Sequence, residues 1–464
     1  MQNKSMKFLE NIPYDDLTVG QEASTERLCL ADDLFVFANA SGNLNPLHLP
    51  HEDGDQDGLP EAQAPSAWVG ALISSVLGNL LPGPGTIYES QTLHWTGLAH
   101  AGDTLVARVH LLEKLPDRRV RLRTTVSQKG GAQILHGEAV VIAPERKMTF
   151  NIDDLPTLRV QRHVHFDRIL HQAEPLPAIP TAVVCPEEPN SLGGALLAHE
   201  HTIIRPILIG DRSKIAAAAA EISADITEHE VLHTASHQEA AELACQLVHE
   251  GRAQALMKGH LHTDVLLSAV LRKDTGLRIG RRLSHIFVMD VPGLEHLLMV
   301  SDAAINIAPD LETKVDIIQN AIDLAIALGT PQPKVGVLSA VETVTPKIPS
   351  TLDAAVLSKM ADRGQIRGGI VDGPLAMDNA IDIEAARTKG IKSAVAGHAD
   401  ILIAPNMEAG NMLAKELTFV AGAEAGGIVL GAKCPIILTS RSDDEKARLA
   451  SCAIAALFAK SGVK

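Results

Sequence analysis

Short apolar runs alternate with helical patterns through the C-terminal two-thirds of the chain. The clearest case lies within residues 334–379, where apolar runs at 335–338 and 369–371 flank a segment, 352–361, whose apolar residues recur three and four positions apart. Such spacing indicates a helix, and short uninterrupted apolar runs are typical of buried strands. The pattern predicts strand, helix, strand, the repeating unit of a parallel sheet.

The same alternation recurs on both sides of this segment. It predicts strands at 182–185, 203–210, 255–257, 285–289, 303–308, 401–404 and 435–438, and helices at 191–199, 239–249, 264–271 and 450–459. Polar or charged residues follow most of the strands, and open parallel sheets bind ligands beyond the carboxyl ends of their strands. We therefore expect one large cleft lined by strand ends. The alternative is that these ends simply face water.

Residues 1–148 follow a different pattern. An apolar helix is predicted at 65–81, ended by Pro82 and Gly83, and four extended segments follow at 86–96, 104–115, 118–128 and 132–142. One apolar helix followed by an antiparallel meander predicts a curled sheet wrapped around that helix. The polar, proline-containing residues 149–180 read as a linker that includes a short helix within 159–171.

Composition narrows the possible functions. The 464 residues are 46% hydrophobic but only 3% aromatic, so large cores must be built from Ala, Val, Ile and Leu. A net charge of −15 makes nucleic acid an unexpected partner. The N-terminus lacks a signal-peptide core and no apolar run is long enough to span a bilayer, so we expect a cytoplasmic protein without a membrane partner.

The five cysteines are widely separated: Cys29, Cys185, Cys245, Cys434 and Cys452. This spacing argues against a disulfide framework and a zinc site, and for a reducing compartment. The sequence therefore predicts no metal centre.

Basic residues concentrate between 272 and 282, comprising Arg272, Lys273, Arg278, Arg281 and Arg282. Such a cluster could bind an anionic substrate. A solvated basic loop is the equal alternative.

The N-terminal region resembles the MaoC-like hot-dog family across residues 10–145. The resemblance lies in SGNLNPLHL (41–49), in WVGALISSVLG followed by LPGPGTIY, and in Ala101-Gly102-Asp103-Thr104. It implies an α+β hot-dog domain with a pocket for a coenzyme A (CoA) thioester.

The residues that carry hydratase chemistry in that family are changed here. Family hydratases use an Asp and a His in a D-x-N-P-x-H loop; His48 keeps the second position, but Asn43 occupies the first, and a carboxamide cannot accept a proton from water at neutral pH. Pro65 and Ser66 replace the family's His-Gly, whose glycine N–H approaches the thioester oxygen. We expect a degenerate site that serves dimerisation or CoA-ester docking. An active (R)-type enoyl-CoA hydratase domain is the alternative.

Residues 181–464 resemble the phosphate acetyl/butyryltransferase family over essentially their whole length. The blocks that carry the resemblance, in order, are LMKGHLHTDVLLSAVLRKDTGLRIGRRLSHIFV, SDAAINIAPDLETKVDIIQNAIDLA, DGPLAMDNA and ADILIAPNMEAGNML. The resemblance implies two α/β/α subdomains with mostly parallel sheets, similar to isocitrate dehydrogenase, and an active site in the cleft between them. The subdomains would be 181–280 plus 435–464, and 281–434.

The implied reaction moves a short acyl group, acetyl to butyryl, between CoA and inorganic phosphate without an acyl-enzyme or a tightly bound cofactor. Ser440 and Arg441 match the family's Ser-Arg pair, and a guanidinium can bind phosphoryl oxygens with two hydrogen bonds. The family's base is an Asp slightly further on, but the spacing differs here, so Asp443, Asp444 and Glu445 compete; we select Asp443. Acidic residues that merely open a helix are the alternative.

Further substrate contacts are expected at the strand ends, from Lys258, His262, Thr263, Arg278, Asp378, Asn379, Glu408 and Asn411. Helix capping explains some of the Asp and Asn residues equally well. The central expectation is that Arg441 faces Lys258 and Asn379 across one shared gap. The resemblance also implies a homo-oligomer, a dimer or larger.

Other classes of function fit less well. A P-loop enzyme needs G-x-x-x-x-G-K-[ST], but the run 426–434 has Ala432 at the lysine position, and residues 192–196 do not form a dinucleotide fingerprint. A non-catalytic sensor of CoA thioesters remains open as a further alternative.

Overall fold

The computed structural model describes residues 8–50, 63–151, 160, 163–439 and 445–462. The chain divides into two compact units, an N-terminal unit (residues 1–160) and a C-terminal unit (residues 161–464). Among the described residues, no helix combines the length and apolar character that a membrane crossing requires.

Among its described residues, the N-terminal unit contains two α-helices and a set of antiparallel strands. Its elements are β1 (Phe8–Glu10), β2 (Glu22–Leu28), α1 (Ala31–Ser41), α2 (Ser66–Asn79), β3 (Ile87–Gln91), β4 (His94–Trp95), β5 (Thr104–Lys114), β6 (Arg119–Gln128), β7 (Gln133–Ile142) and β8 (Thr149–Asn151).

The sheet of this unit curls around helix α2. Its strand order is β2-β5-β6-β7-β3, with β4 also paired to β7, and every pairing is antiparallel. Helix α2 buries Val69, Ile73, Val76 and Leu77 against this sheet. Full burial of one such side chain stabilises the folded state by about 1.5–3 kcal/mol relative to leaving it exposed. This is the helix-in-sheet arrangement of a hot-dog domain, so the expected fold is confirmed.

The C-terminal unit alternates strands and helices. Its elements are α3 (Val164–Ala173), β9 (Ile179–Val184), α4 (Pro189–Glu200), β10 (Ile204–Gly210), α5 (Arg212–Glu221), β11 (Glu230–His233), α6 (His237–His249), β12 (Ala255–Lys258), α7 (Thr263–Val270), β13 (Ser284–Asp290), β14 (Leu298–Ser301), α8 (Leu311–Ala327), β15 (Lys334–Leu338), α9 (Pro349–Asp362), β16 (Ile370–Leu375), α10 (Met377–Ile381), α11 (Ile383–Thr388), β17 (Ile401–Ile403), α12 (Met407–Phe419), β18 (Glu424–Leu430), β19 (Ile436–Ile437) and α13 (Glu445–Lys460).

These strands form one mixed sheet in the order β11-β10-β9-β12-β19-β18-β13-β14-β17-β15-β16. The first five strands are parallel to one another, and so are the last four. The expected α/β class with mostly parallel strands is therefore confirmed. The two parallel blocks are joined through β18 and β13.

The direction of the two blocks corrects the expectation of a single edge lined by all strand ends. Three successive pairings, β19 with β18, β18 with β13 and β13 with β14, are antiparallel. Because the number of reversals is odd, the two blocks run in opposite directions. Their carboxyl ends consequently lie at opposite edges of the sheet.

The strand predicted at 303–308 is wrong. The strand of this region is β14, and the chain then turns at Asp302, whose carboxylate accepts hydrogen bonds from the N–H groups of Ala304, Ile305 and Asn306 at 2.9–3.1 Å. A side-chain acceptor that satisfies three successive backbone donors competes with strand pairing.

Residues 149–180, predicted as a linker, contain helix α3, which packs into the C-terminal unit. Phe166 and Ile169 of α3 are buried in the main core of that unit. The carboxylate of Asp290 accepts the N–H groups of His165 and Phe166 at 2.7 and 3.0 Å. A carboxylate at this position satisfies two unpaired donors of the first helical turn.

Candidate active site

A cavity of about 510 Å³ opens at the carboxyl ends of β12 and β19. Its walls come from the N-terminal ends of α7 and α13, from β13 and β18, and from one face of α12. The cavity thus lies where the first parallel block meets the strands that join it to the second. Such a volume is within the range of small-molecule sites.

Four of the predicted substrate residues line this cavity: Lys258, His262, Thr263 and Asn411. Lys258 ends β12 and is buried, with Nζ 3.3 Å from the carbonyl oxygen of Gly259. His262 precedes α7 and is exposed, whereas Asn411 donates to the carbonyl of Ala303 at 3.1 Å.

Helix α12 presents a single face to the cavity. The lining residues Asn411, Ala414, Lys415, Thr418 and Phe419 are spaced three and four apart. Residues at this spacing share one side of an α-helix. Asn411 therefore lies in the cavity because of helical periodicity. This holds although α12 follows β17, which belongs to the second parallel block (β14, β17, β15 and β16).

Positive charge exceeds negative charge on the walls formed by described residues. Lys258, Lys415 and Lys446 line the cavity, against the single carboxylate of Glu424. The Nζ of Lys446 lies 2.7 Å from Oε1 of Glu424. A low-dielectric wall with excess ammonium groups attracts anions such as phosphate.

His285 also lines the cavity, and the sequence reasoning missed it as a site residue because it looks like part of an apolar strand. The side chain is 1% exposed, and its Nε2 lies 3.4 Å from the carbonyl oxygen of Leu438. Burial lowers the pKa of His285, so the imidazole is neutral near pH 7. A neutral imidazole adds hydrogen-bonding capacity to this wall without adding charge.

Ser440, Arg441 and Asp443 lie outside the described residues, as does Asp444. The described residues on either side, Thr439 and Lys446, both line the cavity. Glu445, the other acidic candidate, is the first residue of α13 and is exposed.

Asp378 and Asn379 are not brought into this cavity. They follow β16, in the block whose carboxyl ends point to the other edge of the sheet. Asp378 pairs with Lys389 at 3.3 Å, and the buried Asn379 donates to Glu342 at 3.4 Å. These residues form a separate polar cluster at the opposite edge.

Glu408 and Arg278 are exposed and do not line the cavity either. The basic stretch around Arg278 is partly neutralised locally: Arg272 pairs with Glu242 at 2.7 Å and Arg281 with Asp323 at 2.6 Å. The described structure thus favours the interpretation of this stretch as a surface region over that of an anion pocket.

In the N-terminal unit, the loop that carries Asn43 and His48 is held by its own side chains. Asn43 Oδ1 accepts the N–H of Asn45 at 3.2 Å, and His48 Nδ1 lies 3.1 Å from the carbonyl oxygen of Gln63. Ser66 is the exposed first residue of α2. The carboxamide at position 43 therefore has a structural role in the turn.

Comparison with known proteins gives a family match and matches to individual proteins. A family profile described as phosphate acetyl/butaryl transferase matches residues 227–456. The R-hydratase PhaJ1 from Pseudomonas aeruginosa is 40% identical in sequence. The match covers 33% of this chain and 99% of the hydratase chain, with a TM-score of 0.32.

Two matches concern the C-terminal unit. A branched-chain phosphotransacylase from Enterococcus faecalis V583 is 31% identical over 61% of this chain and 99% of that chain, with a TM-score of 0.54. A phosphate acetyltransferase of Rhizobium meliloti is 56% identical over 294 residues, which are 63% of this chain and 93% of the relative. With most of such a relative covered at this identity, the chain belongs to the phosphate acetyl/butyryltransferase family.

Proposed function

We propose that the C-terminal unit transfers a short acyl group, acetyl to butyryl, between CoA and inorganic phosphate. The observation that carries this proposal is the cavity at the ends of β12 and β19, whose described walls hold more ammonium groups than carboxylates. Phosphate and CoA are both anionic, and a partly enclosed cationic wall favours their binding. Family membership supplies the reaction class.

The proposed chemistry is an attack of a phosphate oxygen on the thioester carbonyl. The new C–O bond forms, the C–S bond breaks, and CoA leaves as a thiolate that takes up a proton. Arg441 binds the phosphate, Ser440 assists the developing oxyanion, and Asp443 exchanges the proton with the CoA thiol. Placement of Thr439 and Lys446 in the cavity wall supports these roles, because only six residues separate them.

Direct transfer, without an acyl-enzyme, agrees with the state of the cysteines. All five are buried. Burial raises the pKa of Cys434 to about 12 and that of Cys452 likewise to about 12. A protonated, enclosed thiol is a poor nucleophile. We propose that CoA and phosphate act as substrates.

The proposal is tested by following CoA release from acetyl-, propionyl- and butyryl-CoA with the full chain. We expect release that requires phosphate, with stoichiometric formation of acyl phosphate. Release without phosphate would indicate a thioesterase. Binding without any release would support the alternative of a CoA-thioester sensor, and either outcome would overturn the proposal.

Two variants of Arg441 test the assigned phosphate site. We expect Arg441→Ala to lower turnover about 10²–10³-fold, the loss typical of removing one preorganised charge-stabilising group. Arg441→Lys should recover only part of this, because an ammonium cannot donate two parallel hydrogen bonds. Arg363→Ala, at the exposed end of α9, is the matched control and should leave turnover unchanged.

We further propose that the N-terminal hot-dog unit is a degenerate hydratase domain and that the protein is a homo-oligomer. The carboxamide of Asn43, which cannot act as a base, supports the first point. Within the C-terminal unit, we propose subdomain boundaries near residues 280 and 435, close to the strands β13 and β18 that join the two parallel blocks.

A further inference from the structure

Three potential metal ligands meet outside the cavity, just beyond the end of β9. Ligand atoms of Cys185, Glu187 and His237 all lie within 4.8 Å of one another. Cys185 and Glu187 follow β9 directly, whereas His237 is the first residue of α6, some fifty positions later in the chain. Sequence spacing therefore gave no sign of this cluster, and the expectation of no metal centre rested on spacing alone.

The cluster occupies a position that commonly binds ligands in α/β sheets. From β9 the chain adds β10 and β11 on one side, and then returns to place β12 on the other side of β9. A crevice opens beyond the carboxyl ends of neighbouring strands where the winding direction changes in this way. Cys185 and Glu187 stand at that point.

The backbone at this point is tightly constrained. A Cβ on Gly259 would lie 2.3 Å from the carbonyl oxygen of Cys185, so the two strand ends are in close contact. Cys185 itself adopts a φ of 55°, a strained value for a residue with a side chain. Strain of this kind persists only where surrounding structure fixes it, and it is frequent at functional sites.

Glu187 is the centre of the cluster. Its side chain is only 4% exposed, and Oε1 accepts the N–H of Asp211 at 3.0 Å. Oε2 lies 3.5 Å from Nε2 of His237 and 3.3 Å from Nζ of Lys214. Because the Lys214 side chain is 59% exposed, its ammonium group can move into water and leave Oε2 to another cation.

We propose that Cys185, Glu187 and His237 form a binding site for a divalent transition ion of the zinc class. One sulfur, one nitrogen and one oxygen ligand are the set that zinc and cobalt accept, with a fourth position left for water. Metal–ligand bonds of about 2.0–2.3 Å place tetrahedral ligands roughly 3.3–3.8 Å apart, so the side chains need to approach by about 1 Å.

Binding exchanges one cation for another and releases a proton. Burial, with a smaller contribution from Glu187, raises the pKa of Cys185 to about 12, so the thiol is protonated before the ion arrives. Coordination replaces the S–H bond by a sulfur–metal bond, and the proton leaves to solvent. No change of oxidation state is involved. The site is independent of the proposed acyl transfer.

Cobalt titration of the full chain, first stripped with a chelator under reducing conditions, tests the proposal. Bound Co²⁺ should give tetrahedral visible bands and a sulfur-to-cobalt charge-transfer band in the near ultraviolet, saturating at one ion per chain. Zinc should abolish both. Cys185→Ser should remove the charge-transfer band, and His237→Ala should weaken binding at least about tenfold. Cys29→Ser, in the N-terminal unit, is the matched control and should bind as the wild type.

Lys214→Gln provides a test that does not remove a ligand. Without the competing ammonium group, the affinity for Co²⁺ should rise about two- to fivefold, as expected for loss of an exposed ion pair. The absence of a charge-transfer band in the wild type would overturn the proposal. So would its persistence in Cys185→Ser, or weaker binding in Lys214→Gln.

Discussion

Arg448 Nη1 donates a hydrogen bond of 2.7 Å to Oγ1 of Thr439, and both side chains are buried, at 4% and 3% exposure. Thr439 follows β19 and lines the cavity, while Arg448 lies in the first turns of α13. The bond therefore links the two described segments that flank residues 440–444, one ending at Thr439 and the other beginning with α13. A charge-assisted hydrogen bond between buried groups contributes about 1.5–3 kcal/mol.

Replacing Thr439 tests this tie. Thr439→Val keeps the shape but removes the acceptor, leaving the buried guanidinium short of one partner, so the C-terminal unit should lose about 1–3 kcal/mol of stability. Turnover should fall more than the affinity for acyl-CoA, because the flanking segment carries Arg441. Thr439→Ser keeps the hydroxyl and is the matched control.

The aromatic residues allow the two units to be followed separately. Both tryptophans, Trp68 and Trp95, belong to the N-terminal unit. Tryptophan fluorescence therefore reports unfolding of that unit, whereas far-ultraviolet circular dichroism reports both. Thr439→Val should lower the denaturant midpoint seen by circular dichroism and leave the fluorescence transition unchanged. Equal shifts of both would contradict the assignment.

Gly427 of β18, which packs against the cavity residues His285 and Leu438, is predicted to be hard to replace. A Cβ there would lie 2.5 Å from the carbonyl oxygen of Leu438 and 3.1 Å from Nε2 of His285. The nearer atom belongs to the backbone of Leu438, which is hydrogen-bonded to Gly427 and cannot easily move. Gly427→Ala should therefore lower the free energy of unfolding by about 1–3 kcal/mol or more and reduce acyl transfer.

Gly78→Ala provides the contrasting case for the same substitution. Gly78 lies within α2, and an added Cβ meets nothing within 4 Å. Alanine should stabilise the N-terminal unit by about 0.4–1 kcal/mol, seen as a higher midpoint in tryptophan fluorescence. A similar loss of stability in both glycine variants would show that the close approach at Gly427 is not its cause.

Local patterns predicted most elements of the C-terminal unit, because many of its strands are short apolar runs and many of its helices bury residues three and four positions apart. The direction of the two parallel blocks was not predictable in this way. It depends on the antiparallel pairings of β13 and β18, and neither strand differs in composition from a parallel one. The expected meeting of Lys258 and Asn379 assumed that all strands point the same way, and the described structure places them at opposite edges of the sheet.

The candidate site was likewise predicted in part. Lys258, His262 and Thr263 follow an apolar strand, so their position could be predicted from the strand end. His285 lies inside a strand and Lys415 in mid-helix, and neither position signals a site along the sequence. Such residues join a cavity only through tertiary packing, which a linear pattern does not contain.

Asn43→Asp tests whether the hot-dog unit has lost hydratase chemistry at one position. The wild-type chain should hydrate crotonyl-CoA no faster than background, because Asn43 cannot act as a base. An aspartate can accept the same N–H of Asn45 that Asn43 accepts, so the turn should persist. We expect at least about a tenfold gain in hydration, measured by loss of the enoyl absorbance.

Asn45→Asp is the matched control for charge. It adds a carboxylate two residues away, where the side chain accepts the N–H of Leu47, and it should not restore hydration. Brisk hydration by the unaltered chain would show that the domain is active despite Asn43. Equal gains in both variants would mean that net charge, not a positioned base, is responsible.

His285 predicts how stability depends on pH. Burial lowers the folded-state pKa of His285 below its usual value, only partly opposed by the nearby carboxylate of Asp302. The unfolded chain therefore binds the proton more readily, beginning near pH 6.5. The contribution of this group to stability is complete above that pH. It falls as the pH decreases towards the folded-state pKa, at up to about 1.4 kcal/mol per pH unit for this single group.

His285→Gln should lose this contribution to the pH dependence. Between about pH 7.5 and 5.5, the denaturant midpoint measured by circular dichroism should therefore fall less in the variant than in the wild type. His171→Gln, on an 80% exposed side chain of α3, should keep the wild-type slope. Parallel pH profiles for His285→Gln and the wild type would show that folding does not lower the pKa of His285, which would contradict this prediction.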